Sequence, residues 1–407
     1  MAQDASVGAD DGAVSVDGEV TSTGLIHHAY QPPAGFDALM PGVFKASTVI
    51  FKDTAALRAR NWKEKAGYTY GLHGTPTTFT LEERIATLEG GRFAWLVPSG
   101  LAAITLVDFA LLSAGDEVLL PDNVYGPSKE LARNELARLG VTHQMYDPML
   151  ADDLRGKIGP RTRLVWLEAA GSVSMEFPDL LGLVRVCREA GVMTALDNTW
   201  GAGLAFNPFA LGAEKLSVDI SMHALTKYPS GGGDVLMGSV VTRDRELHER
   251  IGATHMRLGF GIGANDAELL LRSLPSLPLR YAAHDASARK LARWFEGRGE
   301  VVAVLHPALE QSPGHAHWRE VTSQAAGLFS VVFSSRYSSA QVDAFVDALR
   351  LFKIGYSWGG PVSLVVPYHI GSMRSLGFEP AGTVVRFSVG LEATEDLLAD
   401  LAQALGG

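Results

Sequence analysis

Short apolar runs recur along the middle of the chain, with helical spacings between them. The runs are AWLVP (94–98), EVLLPD (117–122), RLVWLEAA (163–170), VMTALDNTW (192–200), LSVDIS (216–221) and GSVVTR (238–243). Between them, TLEERIATLEGG, LAAITLVDFALLSAG, SKELARNELARLG and LLGLVRVCREAG space apolar residues at helical intervals and stop on glycine. Nearly continuous apolar strands separated by helices predict an α/β fold with a mainly parallel sheet covered on both faces. The main domain is expected over 71–265, and a smaller C-terminal α/β domain with shorter strands over 266–407. Residues 21–70, with GLIHHAYQPPAGF and MPGVFKASTVIF, are broken by Pro and Gly and read as an arm. Residues 1–20 are acidic, rich in small residues and aperiodic, so they read as a disordered tail.

Composition narrows the partners. Of 407 residues 47% are hydrophobic and 20% charged, which is ordinary for a globular chain, and the net charge is −10. That charge argues against nucleic acid or an anionic membrane as partner, since both need a basic surface. No apolar run is long enough to span a bilayer, and the N-terminus lacks the basic-then-apolar pattern of a signal peptide. The single cysteine, Cys187, cannot form an internal disulfide and lies in a helical pattern, where it reads as a small core residue. A reducing, cytoplasmic setting is therefore expected.

In a parallel sheet ligands bind where the strands end at their carboxyl edge. The polar residues that follow the runs are Ser99 and Gly100, Asn123 and Tyr125, Gly171 and Ser172, Asp197 with Asn198, Thr199 and Trp200, and Thr226 with Lys227. Taken singly, Asp197 reads as a strand-end cap, Tyr125 as edge packing and glycines 231–233 as a turn. Lys227, in SMHALTKYPSGGGD (221–234), breaks from a strand into a glycine loop, which is no ordinary place for a lysine. Neither a phosphate-binding P-loop nor a G-x-G-x-x-G dinucleotide turn is present. A lysine, an acid, a tyrosine and a helix N-terminus on one edge fit pyridoxal 5′-phosphate: a Schiff-base amine, a pyridinium partner and a phosphate cradle.

The segment SMHALTKYPSGGGDVLMG resembles the cofactor-lysine segment of the Cys/Met-metabolism pyridoxal-phosphate enzymes. ALDNTW is similar to that family's cofactor-acid strand, YTYGLHGTPTTFTLEERIATLEGG to its tyrosine-bearing segment and DNVYGPSK to its stacking-tyrosine turn. GTVVRFSVGLE is similar to its carboxylate-binding arginine strand, and IGYSWGGPVSL resembles the β-lyase branch. The likeness runs in order from about residue 22 to the C-terminus. It implies the fold-type I architecture, with a seven-stranded main sheet and a smaller C-terminal domain.

Residue by residue, the resemblance implies that Lys227 binds the cofactor aldehyde and then moves the Cα proton, while Asp197 keeps the pyridine nitrogen protonated. Tyr125 would stack on the ring, and Ser99, Gly100, Leu101 and Thr226 would hold the phosphate. Tyr70 would reach the phosphate of a neighbouring subunit, which implies a homotetramer built from tight dimers. Arg386 would grip the substrate α-carboxylate, and Ser357 would position Lys227 or that carboxylate. Tyr356 and Trp358 stand where γ-acting relatives commonly hold a glutamate and a small aliphatic residue, so β-elimination from L-cystathionine is favoured. γ-Elimination or γ-synthesis is the alternative, and a non-catalytic protein of the same fold is disfavoured by the presence of Lys227 and Asp197. Three positions depart from the family: Leu72 replaces a phosphate-binding arginine and is followed by His73, Ala224 replaces a serine, and Gly232 replaces a histidine.

Overall fold

The structure, a computed structural model, describes residue 23 and residues 39–63, 65, 67–376, 380 and 382–406. The tail expected at 1–20, and most of the first half of the arm, lie outside the described residues. The described part of the arm is largely irregular, with a short helix at Thr54–Arg58 and a single bridge from Thr48 to Tyr70.

The main sheet comprises β1 (Phe93–Val97), β2 (Glu117–Pro121), β3 (Thr142–Tyr146), β4 (Thr162–Glu168), β5 (Met193–Asp197), β6 (Ile220–His223) and β7 (Gly238–Thr242). Their order is β1-β7-β6-β5-β4-β2-β3, and only β7 runs against its neighbours. β3 was not foreseen. THQMY is mostly polar because it forms an edge with one neighbour and a half-exposed face. β6 starts later than LSVDIS suggests. Leu216 instead bridges Leu211 and Val218 bonds the Pro208 carbonyl, so the first half of that apolar run closes a local turn.

Helix Gly100–Leu111 and helix Arg245–Leu258 contribute buried apolar residues to one face of this sheet; helices Pro76–Leu88 and Leu180–Ala190 do so on the other. Cys187 is fully buried on the last of these, where burial pushes its thiol up to about 12, so it is an inert core residue. A second sheet has the order β10-β11-β12-β9-β8, from β8 (Val301–Leu305), β9 (Leu328–Phe333), β10 (Lys353–Ile354), β11 (Leu364–Tyr368) and β12 (Val384–Ser388). Packing runs across the boundary expected at 265/266. Ala267, Leu270 and Leu271 of helix Ala264–Ser273 join the core of the first sheet. Helix Leu277–Phe295 then serves both cores, with Tyr281 in the first and Ala288, Leu291 and Phe295 in the second.

Candidate active site

The carboxyl ends of β1, β2, β4, β5 and β6 open on one cleft, lined by Ser99, Gly100, Tyr125, Glu168, Asp197 and Lys227. Lys227 enters it from the turn after β6. That turn is fixed because Thr226 exchanges backbone and hydroxyl hydrogen bonds with Met237, at 3.1–3.2 Å. Lys227 Nζ donates to Ser357 Oγ at 2.7 Å and lies 4.4 Å from the centre of the Trp358 ring. Burial and the Arg386 charge depress this amine to about 8, against the opposing pull of Asp197.

Asp197 closes β5, is buried, and accepts the Thr199 N–H at 2.9 Å. Burial raises its carboxyl above the usual range, with the Thr199 hydrogen bonds opposing. A buried carboxyl of this kind is suited to a cationic ring nitrogen. Arg386, in the middle of the second sheet, reaches the same cleft. Its guanidinium lies 5.5 Å from the Trp358 ring and 5.3 Å from that of Tyr368. It has no carboxylate partner among the described residues, although it is buried. A buried fork without an anion is a ready carboxylate site.

Ser99 caps helix Gly100–Leu111 by accepting the Ala102 N–H at 3.0 Å. The N–H groups of Gly100 and Leu101 have no acceptor among the described residues and open on the cleft, where the helix dipole favours an anion. A Cβ at position 100 would lie 2.7 Å from Ala224 Cβ, so glycine is required for this close approach. Tyr125 lines the cleft on the turn after β2, and its N–H donates to Glu168 Oε2 at 2.8 Å.

Of the other expected residues, one contacts Lys227 and two stand outside the cleft. Ser357 touches Lys227 at the margin of the cleft, with a left-handed φ of 104°. Tyr356 points outward and is 79% exposed. Tyr70 is half-exposed on the arm and does not line the cleft of its own chain. Beside it, His73 Nδ1 lies 2.6 Å from Thr69 Oγ1, and burial with the Arg60 charge lowers its pKa.

Two features were missed. Glu168 ends β4 opposite Asp197 in register, and burial plus the Asp197 charge holds its carboxyl well above the usual range. Its position after RLVWL was a strand-end signal like that of Asp197. Glu89, wholly buried, accepts from Asn198 Nδ2 at 2.8 Å and Ser221 Oγ at 2.6 Å and meets His223 Nδ1 at 2.7 Å. No local pattern announces that grouping.

The profile of the Cys/Met metabolism PLP-dependent enzymes matches residues 22–406. This chain is a member of that family. Among relatives of this PLP-dependent enzyme, the cystathionine beta-lyase of Bordetella avium is 39% identical over 90% of this chain and 91% of its own length. The L-alanine/L-glutamate racemase of Wolbachia pipientis wMel is 34% identical over 90% and 92%. The crystal structure of metB from Corynebacterium glutamicum superposes with a TM-score of 0.85 at 28% identity, covering 94% of this chain and 97% of that one. The cleft of the PLP-dependent enzyme fits its cofactor. Asp197 offers a buried anion for the pyridine nitrogen, Lys227 an amine for the aldehyde, and Gly100 and Leu101 free N–H groups for the phosphate.

Proposed function

We propose that this enzyme cleaves L-cystathionine by β-elimination, giving homocysteine, pyruvate and ammonia, as the name of its Bordetella relative suggests. The observation that carries the reading is the Tyr356-Ser357-Trp358 stretch. It brings a hydroxyl and an indole onto Lys227 and places no carboxylate at position 356. Bound pyridoxal phosphate supplies the electron sink that lets an amino acid lose its Cα proton. Asp197 would hold the proton on the ring nitrogen, and Tyr125, on the turn after β2, would stack on the ring. Arg386 takes the α-carboxylate in a two-point fork, which orients the substrate Cα toward Lys227. Lys227 Nζ removes the Cα proton while Ser357 Oγ fixes its direction. The Cβ–S bond then breaks, homocysteine departs as its thiol, and hydrolysis of the remaining three-carbon fragment gives pyruvate and ammonia.

The relatives' names span elimination and racemisation, two fates that share removal of the Cα proton. A γ-elimination needs a second proton taken from Cβ, and the Trp358 indole that faces Lys227 offers no base for it. Product analysis by mass after a short incubation with L-cystathionine is the test. Pyruvate with homocysteine is expected. Predominant 2-oxobutyrate with cysteine overturns the reading in favour of γ-elimination. We further propose a cytoplasmic homotetramer in which Tyr70 completes the site of a neighbouring subunit.

A further inference from the structure

Outside the cleft, four charged side chains form a buried cluster: Asp122, Lys129, Glu176 and Arg374. Asp122 stands directly after β2, on the turn that leads to Tyr125. Its carboxylate accepts the Ser375 N–H at 2.9 and 3.0 Å, the Ser375 hydroxyl at 2.6 Å and the Leu376 N–H at 3.0 Å. Lys129 Nζ donates to the carbonyls of Asp122 at 2.7 Å and Met373 at 2.6 Å. Arg374 donates to the carbonyls of Asp122 and Ser172, each at 2.9 Å, bonds the Ser174 hydroxyl, and lies 3.7 Å from Glu176.

These bonds join two parts of the molecule. Residues 373–376 belong to the connection between β11 and β12, and the Arg386 guanidinium on β12 faces the Tyr368 ring at the end of β11. The other side is the Tyr125 turn and the 171–176 loop. Val173 and Met175 of that loop line the cleft at φ values of 70° and 56°, which branched and long side chains rarely adopt. Taking four charges out of water offsets most of what their pairing returns, so an apolar seam would hold the two parts together at least as well. What directional bonds add is a single register.

We infer that Asp122 is a positioning residue: by clamping 373–376 to the Tyr125 turn, it sets the separation between Arg386 and the opposite wall of the cleft. The inference rests on Arg386 taking the substrate carboxylate, as proposed above. Loss of the clamp should therefore weaken carboxylate binding and leave the proton-transfer step nearly intact.

The test compares the wild-type holoenzyme with Asp122→Asn, which keeps the shape and removes the charge and one acceptor. KM for L-cystathionine should rise at least about tenfold with kcat within about threefold. Propionate, a carboxylate without an amine, should bind correspondingly more weakly, followed through its effect on the visible absorption. Trypsin should cut after Arg374 in the variant and spare that bond in the wild type. Ser375→Ala, which removes one bond and no charge, should move KM the same way by about two- to threefold and serves if Asp122→Asn does not fold. Opening of the Arg374–Ser375 bond with KM and propionate affinity unchanged overturns the inference, because the clamp is then structural only. A raised KM with unchanged propionate affinity overturns it too. Propionate binding keeps the clamp testable in a protein that turns over no cystathionine, so the two readings fail separately.

Discussion

An amine that must capture an aldehyde near neutrality has to shed its proton there, and the surroundings of Lys227 make it do so. Its pKa of about 8 lies below the ordinary lysine value, so the reactive neutral fraction grows as pH rises through about 8 and levels off above it. Cofactor capture by the cofactor-free protein, followed by visible absorption, should show that profile. Arg386→Leu removes a neighbouring cation and should move the midpoint to higher pH; Asp197→Asn removes an anion and should move it lower. Unmoved midpoints would mean that burial alone sets the value. Lys227→Ala should abolish the visible band and lower turnover by at least about 100- to 10,000-fold, the range for loss of a proton-transfer group. Assay of the purified variant for pyruvate checks this. Lys227 and Asp197 stood out in the sequence because each follows an apolar run, whereas Arg386 came only through the family resemblance; all three line one cleft. Glu89 and His223 were not, since their pairing spans 134 positions and arises only when the strands align.

Between elements, the decisive contact is the one that lets helix Gly100–Leu111 start close to β6 and β7. A Cβ at Gly238 would lie 2.4 Å from the Ser99 carbonyl, as one at Gly100 would crowd Ala224. Gly238→Ala should therefore push the helix start away from the cleft. Overpacking costs about 1–3 kcal/mol, and falling on the bound state this weakens cofactor retention by about tenfold. Equilibrium dialysis of the cofactor measures it, and unchanged retention would show that the phosphate is held elsewhere. The strand–helix alternation that builds this site was readable because buried parallel strands are apolar throughout. The edge strand β3 escaped because its outer face is polar, and β6 was displaced because half of its apolar run serves a turn.

For the whole molecule, the role proposed for Tyr70 bears on how many chains make a working site. Light scattering should find a homotetramer, and an active monomer would end the shared-site reading. Mixing gives a sharper measurement: Tyr70→Ala and Lys227→Ala assemblies, each inactive, should regain about a quarter of wild-type activity after subunits re-pair at random, because each hybrid dimer has one intact site. No recovery would show that Tyr70 acts within its own chain or not at all. The second sheet adds a constraint of another kind. Its central strand, β12, is the last to be made, while both of its neighbours, β9 and β11, precede it in the chain. About 55 residues separate the end of β9 from the end of β12, which at about 5–20 residues per second leaves β9 with one edge open for roughly 3–11 s on the ribosome. Through that interval the nascent chain carries an apolar strand edge ready to pair with other chains, and it still lacks Arg386. The strand that fills this gap is the one that carries Arg386, so the proposed carboxylate site is complete only once that open edge has been paired.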